Sequence, residues 1–170
     1  MKALVVIDML KGFVGDRERK IIDNVKNLID VCRRKGFPVI YVCDSHIPGD
    51  REFKLWGEHA LRGTEDAEVV DELKPTNRDY VVYKRRYSGF FGTDLDLLLK
   101  ELRVEEVILC GIYTEYCVKH TAADAFFNGY DVTIVRDCVL SYEDKMQELM
   151  LDYMAKAYGA KIVSLEQLSS

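Results

Sequence analysis

The stretch VILCGIYTEYCVKHTAADAFFNGYDVTIV, residues 107–135, decides the fold. Val107–Ile112 is a short apolar run without polar alternation, the pattern of a strand buried on both faces. A helix is expected from about Cys117 to Asn128, with Gly129 closing it. Val132–Val135 is a second short apolar run, rich in β-branched side chains. Strand, helix and strand in succession make a βαβ unit, whose strands run parallel.

The rest of the chain repeats this rhythm. Ala3–Asp8 reads as a buried strand, Pro38–Cys43 as the next, Tyr80–Tyr83 as a third and Lys161–Leu165 as the last. Ile21–Lys35 carries apolar residues at 21, 22, 25, 28, 29 and 32, a helical period that Gly36 ends. Asp94–Leu102 is a Leu-rich helix with Thr93 or Asp94 as its N-cap, and Glu143–Tyr158 is another helix. The expected class is α/β: a three-layer α/β/α, Rossmann-like fold with a six-stranded, mostly parallel sheet in the order 3-2-1-4-5-6. One connection is long. Asp44–Thr64 holds two of the three histidines and exceeds the roughly 12–15 residues beyond which loops are usually functional. A short helix is expected around Asp66–Leu73, and Ser169-Ser170 reads as a frayed tail.

Composition sets the outer limits. With 170 residues, 48% of them hydrophobic, the chain is expected to form one domain, residues 1–170, with a core that needs no staples. The net charge is −5, and the basic clusters Arg33-Arg34-Lys35 and Lys84-Arg85-Arg86 are too short to argue for nucleic acid. No apolar stretch approaches the ~20 residues of a membrane span, and Ala3–Met9 lacks the flanks of a signal peptide. A cytoplasmic protein with a small-molecule substrate is expected. The five cysteines, Cys32, Cys43, Cys110, Cys117 and Cys138, are odd in number, irregularly spaced and without a CxxC, which argues against a disulfide framework or zinc ribbon.

In open parallel sheets the site forms at the carboxyl ends of the strands. Those ends carry Asp8, Asp44, Lys84 and, beyond the fourth strand, Cys117. Cys117 is the cysteine placed at a helix N-terminus, where a thiol pKa is lowered and backbone N–H groups can receive an oxyanion. It reads either as a small buried hydrophobe or as a nucleophile. Asp8 at the end of an apolar strand favours the second reading, because a buried carboxylate is costly unless paired. His120 shares a helix face with Cys117, which makes a Cys–His dyad the competing reading. A base is more often supplied from another element, so helix packing is the expected role of His120.

Asp8 in VVIDML, Lys84 in YKRRYSGFFGTDL and Cys117 in GIYTEYCVKHTAADA resemble the isochorismatase-like cysteine hydrolases, over Lys2 to about Val163. That family includes nicotinamidases, N-carbamoylsarcosine amidases, ureidoacrylate amidohydrolases and isochorismatases. The resemblance implies an Asp8–Lys84–Cys117 catalytic set for amide hydrolysis. The isochorismatases proper lack the thiol. Asp44, His46 and His59, with Glu52 acting directly or through a water, look like the nicotinamidase metal site, which implies Zn²⁺, with Mn²⁺ or Fe²⁺ as alternatives. Phe13, Trp56 and Tyr87 resemble the ring-stacking walls of that pocket, while Phe90 and Phe91 are expected in core or interface. The family further implies a cis peptide at Ile112–Tyr113 and an oxyanion hole from the backbone N–H groups of Tyr113 and Cys117. Tyr113 departs from the small residue often found there. The activity implied is nicotinamidase: nicotinamide to nicotinate and ammonia through a Cys117 thioester. The alternative is an amidase for a carbamoyl or ureido substrate without a required metal. A homo-oligomer is the family expectation.

Overall fold

The computed structural model describes all of residues 1–170. Six strands form a single sheet: β1 (Lys2–Ile7), β2 (Val39–Asp44), β3 (Tyr80–Lys84), β4 (Glu106–Ile112), β5 (Asp131–Leu140) and β6 (Lys161–Val163). Their order is β3-β2-β1-β4-β5-β6 and every pairing is parallel, as expected from the sequence. Alternate side chains of a strand point to opposite faces. Thus Ala3, Val5 and Ile7 of β1 enter one core cluster, while Leu4 and Val6 enter another on the far face.

The helices α1 (Ile22–Arg34), α2 (Phe53–Trp56), α3 (Leu95–Glu101), α4 (Lys119–Phe127), α5 (Gln147–Tyr158) and α6 (Leu165–Ser169) occupy the connections. The apolar stripe Ile22, Val25, Leu28, Ile29 and Cys32 of α1 closes one face. Leu95 and Leu99 of α3, Ala122 and Ala125 of α4, and Leu151 and Met154 of α5 close the other. The two clusters hold 22 and 21 buried residues, so both faces are dry and the three layers are complete. No helix is long and apolar enough to cross a membrane.

Local boundaries differ from the sequence reading in several places. Residues Asp66–Leu73 form no continuous helix but two 3₁₀ turns, Glu65–Ala67 and Asp71–Leu73. The C-terminal tail is a short helix, α6, closed at its start by a capping box in which Ser164 and Gln167 each accept from the other's backbone N–H. β5 continues to Leu140, well past Val135, and the helix expected from Glu143 begins at Gln147 after a 3₁₀ turn. At α3 the Thr93 hydroxyl accepts from the Leu95 N–H, while the Asp94 side chain makes no cap. The helix expected from Cys117 starts at Lys119; Thr114–Val118 is a π-helical turn with Cys117 inside it.

Candidate active site

Strand order assembles the site. Because β3, β2, β1 and β4 are consecutive in the sheet, Lys84, Asp44, Asp8 and the π turn after β4 lie in a row along the carboxyl edge. Lys84 and Asp44 are register partners. Asp8 follows β1 with φ +52°, a left-handed conformation that aspartate adopts more readily than most residues. Its Oδ1 accepts the Asp44 N–H at 2.8 Å. Gly111, at φ +113°, lets β4 press against β1: a Cβ there would lie 2.0 Å from the Ile7 carbonyl oxygen. The next peptide, Ile112–Tyr113, is cis.

The ammonium of Lys84 is enclosed by three acidic or sulfur-bearing groups. Its Nζ is 2.9 Å from Asp8 Oδ2, 2.5 Å from Asp44 Oδ1 and 3.4 Å from Cys117 Sγ. All are buried. Burial, then the charge of Asp44, raise Asp8 to about 6 against the pull of Lys84. Burial alone would raise Asp44 too, yet Lys84 outweighs it and holds that carboxyl below its usual value. Burial works against a charged Lys84, but Asp44 and Asp8 overcome it and keep the ammonium protonated. For Cys117, burial pushes the thiol well up. This corrects the expectation of a thiol acidified by a helix N-terminus: Cys117 lies within a turn and is desolvated, so the resting group is a thiol and needs a base. By position Asp8 is the candidate base: its carboxylate, paired with Lys84 through Oδ2, lies within 4.8 Å of the Cys117 sulfur. His120 turns away, its Nδ1 donating to the Tyr116 carbonyl at 2.8 Å and its ring packed 5.3 Å from that of Tyr87.

Beside this trio lies a four-residue donor cluster. Atoms of Asp44, His46, Glu52 and His59 lie within 4.8 Å of one another. His46 Nδ1 donates to Asp50 Oδ2 at 2.9 Å and His59 Nδ1 to the Gly57 carbonyl at 2.8 Å. Both rings therefore present an Nε2 lone pair to the cluster, the arrangement of metal-binding imidazoles. His46 Nε2 and Glu52 Oε1 are buried without a partner. Two carboxylates and two imidazoles with orphaned lone pairs fit a divalent cation of the zinc type. Arg85 grips Asp50 through two hydrogen bonds of 2.9 and 2.8 Å and holds its carboxyl far below the usual range. The basic cluster Lys84-Arg85-Arg86 thus has an internal use: one ammonium for Asp8 and Asp44 and two guanidiniums for Asp50.

Asp8 and Cys117 of the trio and Asp44, Glu52 and His59 of the cluster line one cavity of about 230 Å³. Phe13, Trp56 and Tyr87 line it as expected from the resemblance, together with Tyr113, Tyr116 and Tyr142. Tyr116 and Tyr142 were not legible as pocket residues; nothing in the sequence places the loop after β5 over the π turn. Trp56 is 42% exposed at the rim, and its Nε1–H donates to Tyr87 Oη at 3.0 Å. Tyr113 Oη donates to Glu18 Oε1 at 3.0 Å. No arginine or lysine lines the cavity. The N–H of Tyr113 donates to no backbone acceptor. Phe90 packs against the core, while Phe91 is 65% exposed.

A buried thiol beside a carboxylate and an ammonium, at the carboxyl edge of a parallel sheet, is the equipment of a hydrolase that works through a thiolate. The chain belongs to the isochorismatase family: the isochorismatase domain model matches residues 2–167. It is an isochorismatase-family hydrolase. It is similar to the N-carbamoylsarcosine amidase of Thermoplasma acidophilum, at 38% identity and TM-score 0.91 over 97% of this chain and 96% of that one. The pyrazinamidase of Pyrococcus horikoshii in complex with zinc gives 32% identity and TM-score 0.89 over 96% and 98% of the two chains. Nicotinamidase 3 of Arabidopsis thaliana is 34% identical over 98% of this chain and 86% of its own length.

Proposed function

We propose that this enzyme hydrolyses nicotinamide to nicotinate and ammonia through a Cys117 thioester. The observation that carries the reading is the character of the cavity: six aromatic side chains, Phe13, Trp56, Tyr87, Tyr113, Tyr116 and Tyr142, and no arginine or lysine. Such walls suit a flat, uncharged ring. N-carbamoylsarcosine and ureidoacrylate each bear a carboxylate, for which this lining offers no cationic side chain. The second reading, a carbamoyl or ureido amidase, draws on the 38% identity to the N-carbamoylsarcosine amidase.

In the chemistry, Asp8 accepts the Cys117 proton as the sulfur attacks the carboxamide carbon. Lys84 keeps Asp8 ionised and in place and stabilises the thiolate as it forms. Charge building on the amide oxygen meets the N–H groups of Tyr113 and Cys117. The proton on Asp8 passes to the leaving nitrogen and ammonia departs. Water then attacks the thioester; Asp8 takes its proton and returns it to the sulfur, which completes the cycle. Asp44, His46, Glu52 and His59 would hold a divalent ion, Zn²⁺ by donor type with Mn²⁺ or Fe²⁺ as alternatives, which when bound supplies a Lewis acid to orient a ring nitrogen. All five cysteines are free, which supports a reducing compartment and a cytoplasmic enzyme.

Ammonia release from nicotinamide, pyrazinamide, N-carbamoylsarcosine and ureidoacrylate tests the reading. The two ring amides are expected to have the highest kcat/KM. Preference for either carboxylate-bearing substrate would replace nicotinamidase with the second reading.

A further inference from the structure

Glu115 is the second residue of the π turn that carries Cys117, and it is buried. Its Oε1 accepts the backbone N–H of Tyr142. Its Oε2 is buried and makes no hydrogen bond of good geometry. A carboxylate kept from water at this cost needs a use for the backbone N–H groups that favour its charge, that of Tyr142 foremost with that of Glu143 beside it. The Tyr142 amide belongs to the loop that follows β5, and no other hydrogen bond ties that amide down. The Tyr142 ring lies edge-on to three other aromatic rings of the cavity: Tyr113 at 5.2 Å, Trp56 at 5.7 Å and Tyr116 at 6.4 Å between centroids. The ring is nonetheless 50% exposed, so packing alone does not fix it.

We propose that Glu115 is a positioning residue: its carboxylate holds the Tyr142 peptide so that the Tyr142 ring forms the outer wall of the substrate cavity. The nucleophile turn and the cavity wall on the loop after β5 are thereby tied together, and Glu115 governs how tightly a ring is held, with little part in the bond-making step. The KM half of the test rests on the nicotinamide reading; the spectroscopic half does not.

Trp56 is the sole tryptophan of the chain and touches Tyr142, so its fluorescence reports the wall without any substrate. Glu115→Ala, Glu115→Gln, Tyr142→Ala and the Glu115→Ala/Tyr142→Ala pair are compared with the wild type by Trp56 emission and by KM and kcat for nicotinamide. Tyr142→Ala and Glu115→Ala are expected to shift Trp56 emission alike and to raise KM by roughly threefold to tenfold, the value of one aromatic contact, with kcat little changed. The double variant should resemble either single one, because both remove the same wall. Glu115→Gln keeps an oxygen acceptor and should match the wild type. The proposal is overturned if Tyr142→Ala shifts the emission and Glu115→Ala leaves it at the wild-type value, or if Glu115→Gln, read on its own should Glu115→Ala not fold, departs from the wild type. Additive effects in the double variant overturn it as well. If no variant hydrolyses nicotinamide but the emission pattern holds, the substrate reading fails and the positioning role stands.

Discussion

Lys84 Nζ lies 2.5 Å from Asp44 Oδ1, while Asp44 Oδ2 lies 3.5 Å from His46 Nε2. One carboxylate therefore serves both the ammonium that faces Cys117 and the cluster of imidazoles. The Asp8–Lys84–Cys117 trio and the donor cluster are one connected unit, and a change in either half reaches the other through Asp44.

Lys84→Met follows directly from that connection. It leaves Asp8 and Asp44 buried together without their cation. Removal of one partner from a buried ion pair costs about 3–5 kcal/mol. Thermal melts of metal-free protein are expected to show that loss at neutral pH. The loss should shrink as pH falls, because both carboxylates then take up protons and cease to repel. An undiminished loss at acid pH would show that the damage is packing and not charge.

The acid limb of activity is expected to belong to Asp8. Burial and the neighbouring Asp44 raise it to about 6. It must be ionised to accept the Cys117 proton, so kcat/KM for nicotinamide should rise with pH through about 6 and then level. Asp8→Asn should lose at least roughly a hundredfold in rate and lose the limb with it. A limb that persists in Asp8→Asn would assign it to another group.

Asp50 sets the orientation of His46 through the 2.9 Å bond to Nδ1. Asp50→Ala frees that ring and its tautomer. Zn²⁺ affinity, measured by competition with a chromophoric chelator, is expected to fall about 10–100-fold. His46→Ala and His59→Ala should lose the ion outright. Unchanged affinity in all three would remove the cluster from consideration as a metal site.

Tyr113 narrows the cavity and is pinned by Glu18. Tyr113→Ala keeps the backbone N–H and removes the ring. Ring-substituted nicotinamides that the wild type turns over poorly should become substrates, at some cost in KM for nicotinamide itself. If the variant gained no bulkier substrate, Tyr113 would not be what limits the pocket.

Much of this is legible in the sequence alone. Continuous apolar strands alternating with helical periods imply a parallel sheet, and a parallel sheet places Asp8, Asp44 and Lys84 on one edge whatever its details. The histidines of the long connection were visible as residues out of place in a loop. What was not legible depends on contacts between segments distant in sequence. Asp50 and Arg85 meet across two loops, so their pairing has no local signature. Tyr142 reaches the cavity only because β5 runs to Leu140, beyond the apolar run that ends at Val135. The pKa of Cys117 was misread because a position near a helix start suggests an acidified thiol, whereas burial dominates there.

The most direct test is nicotinate production by the wild type and by Cys117→Ala, each loaded with Zn²⁺ and shown folded by its melt. The wild type should release nicotinate and, quenched in acid during turnover, carry a nicotinoyl group on the peptide containing Cys117. Cys117→Ala should bind nicotinamide and release no nicotinate above background. Hydrolysis at the wild-type rate by Cys117→Ala would contradict a thioester route through this residue.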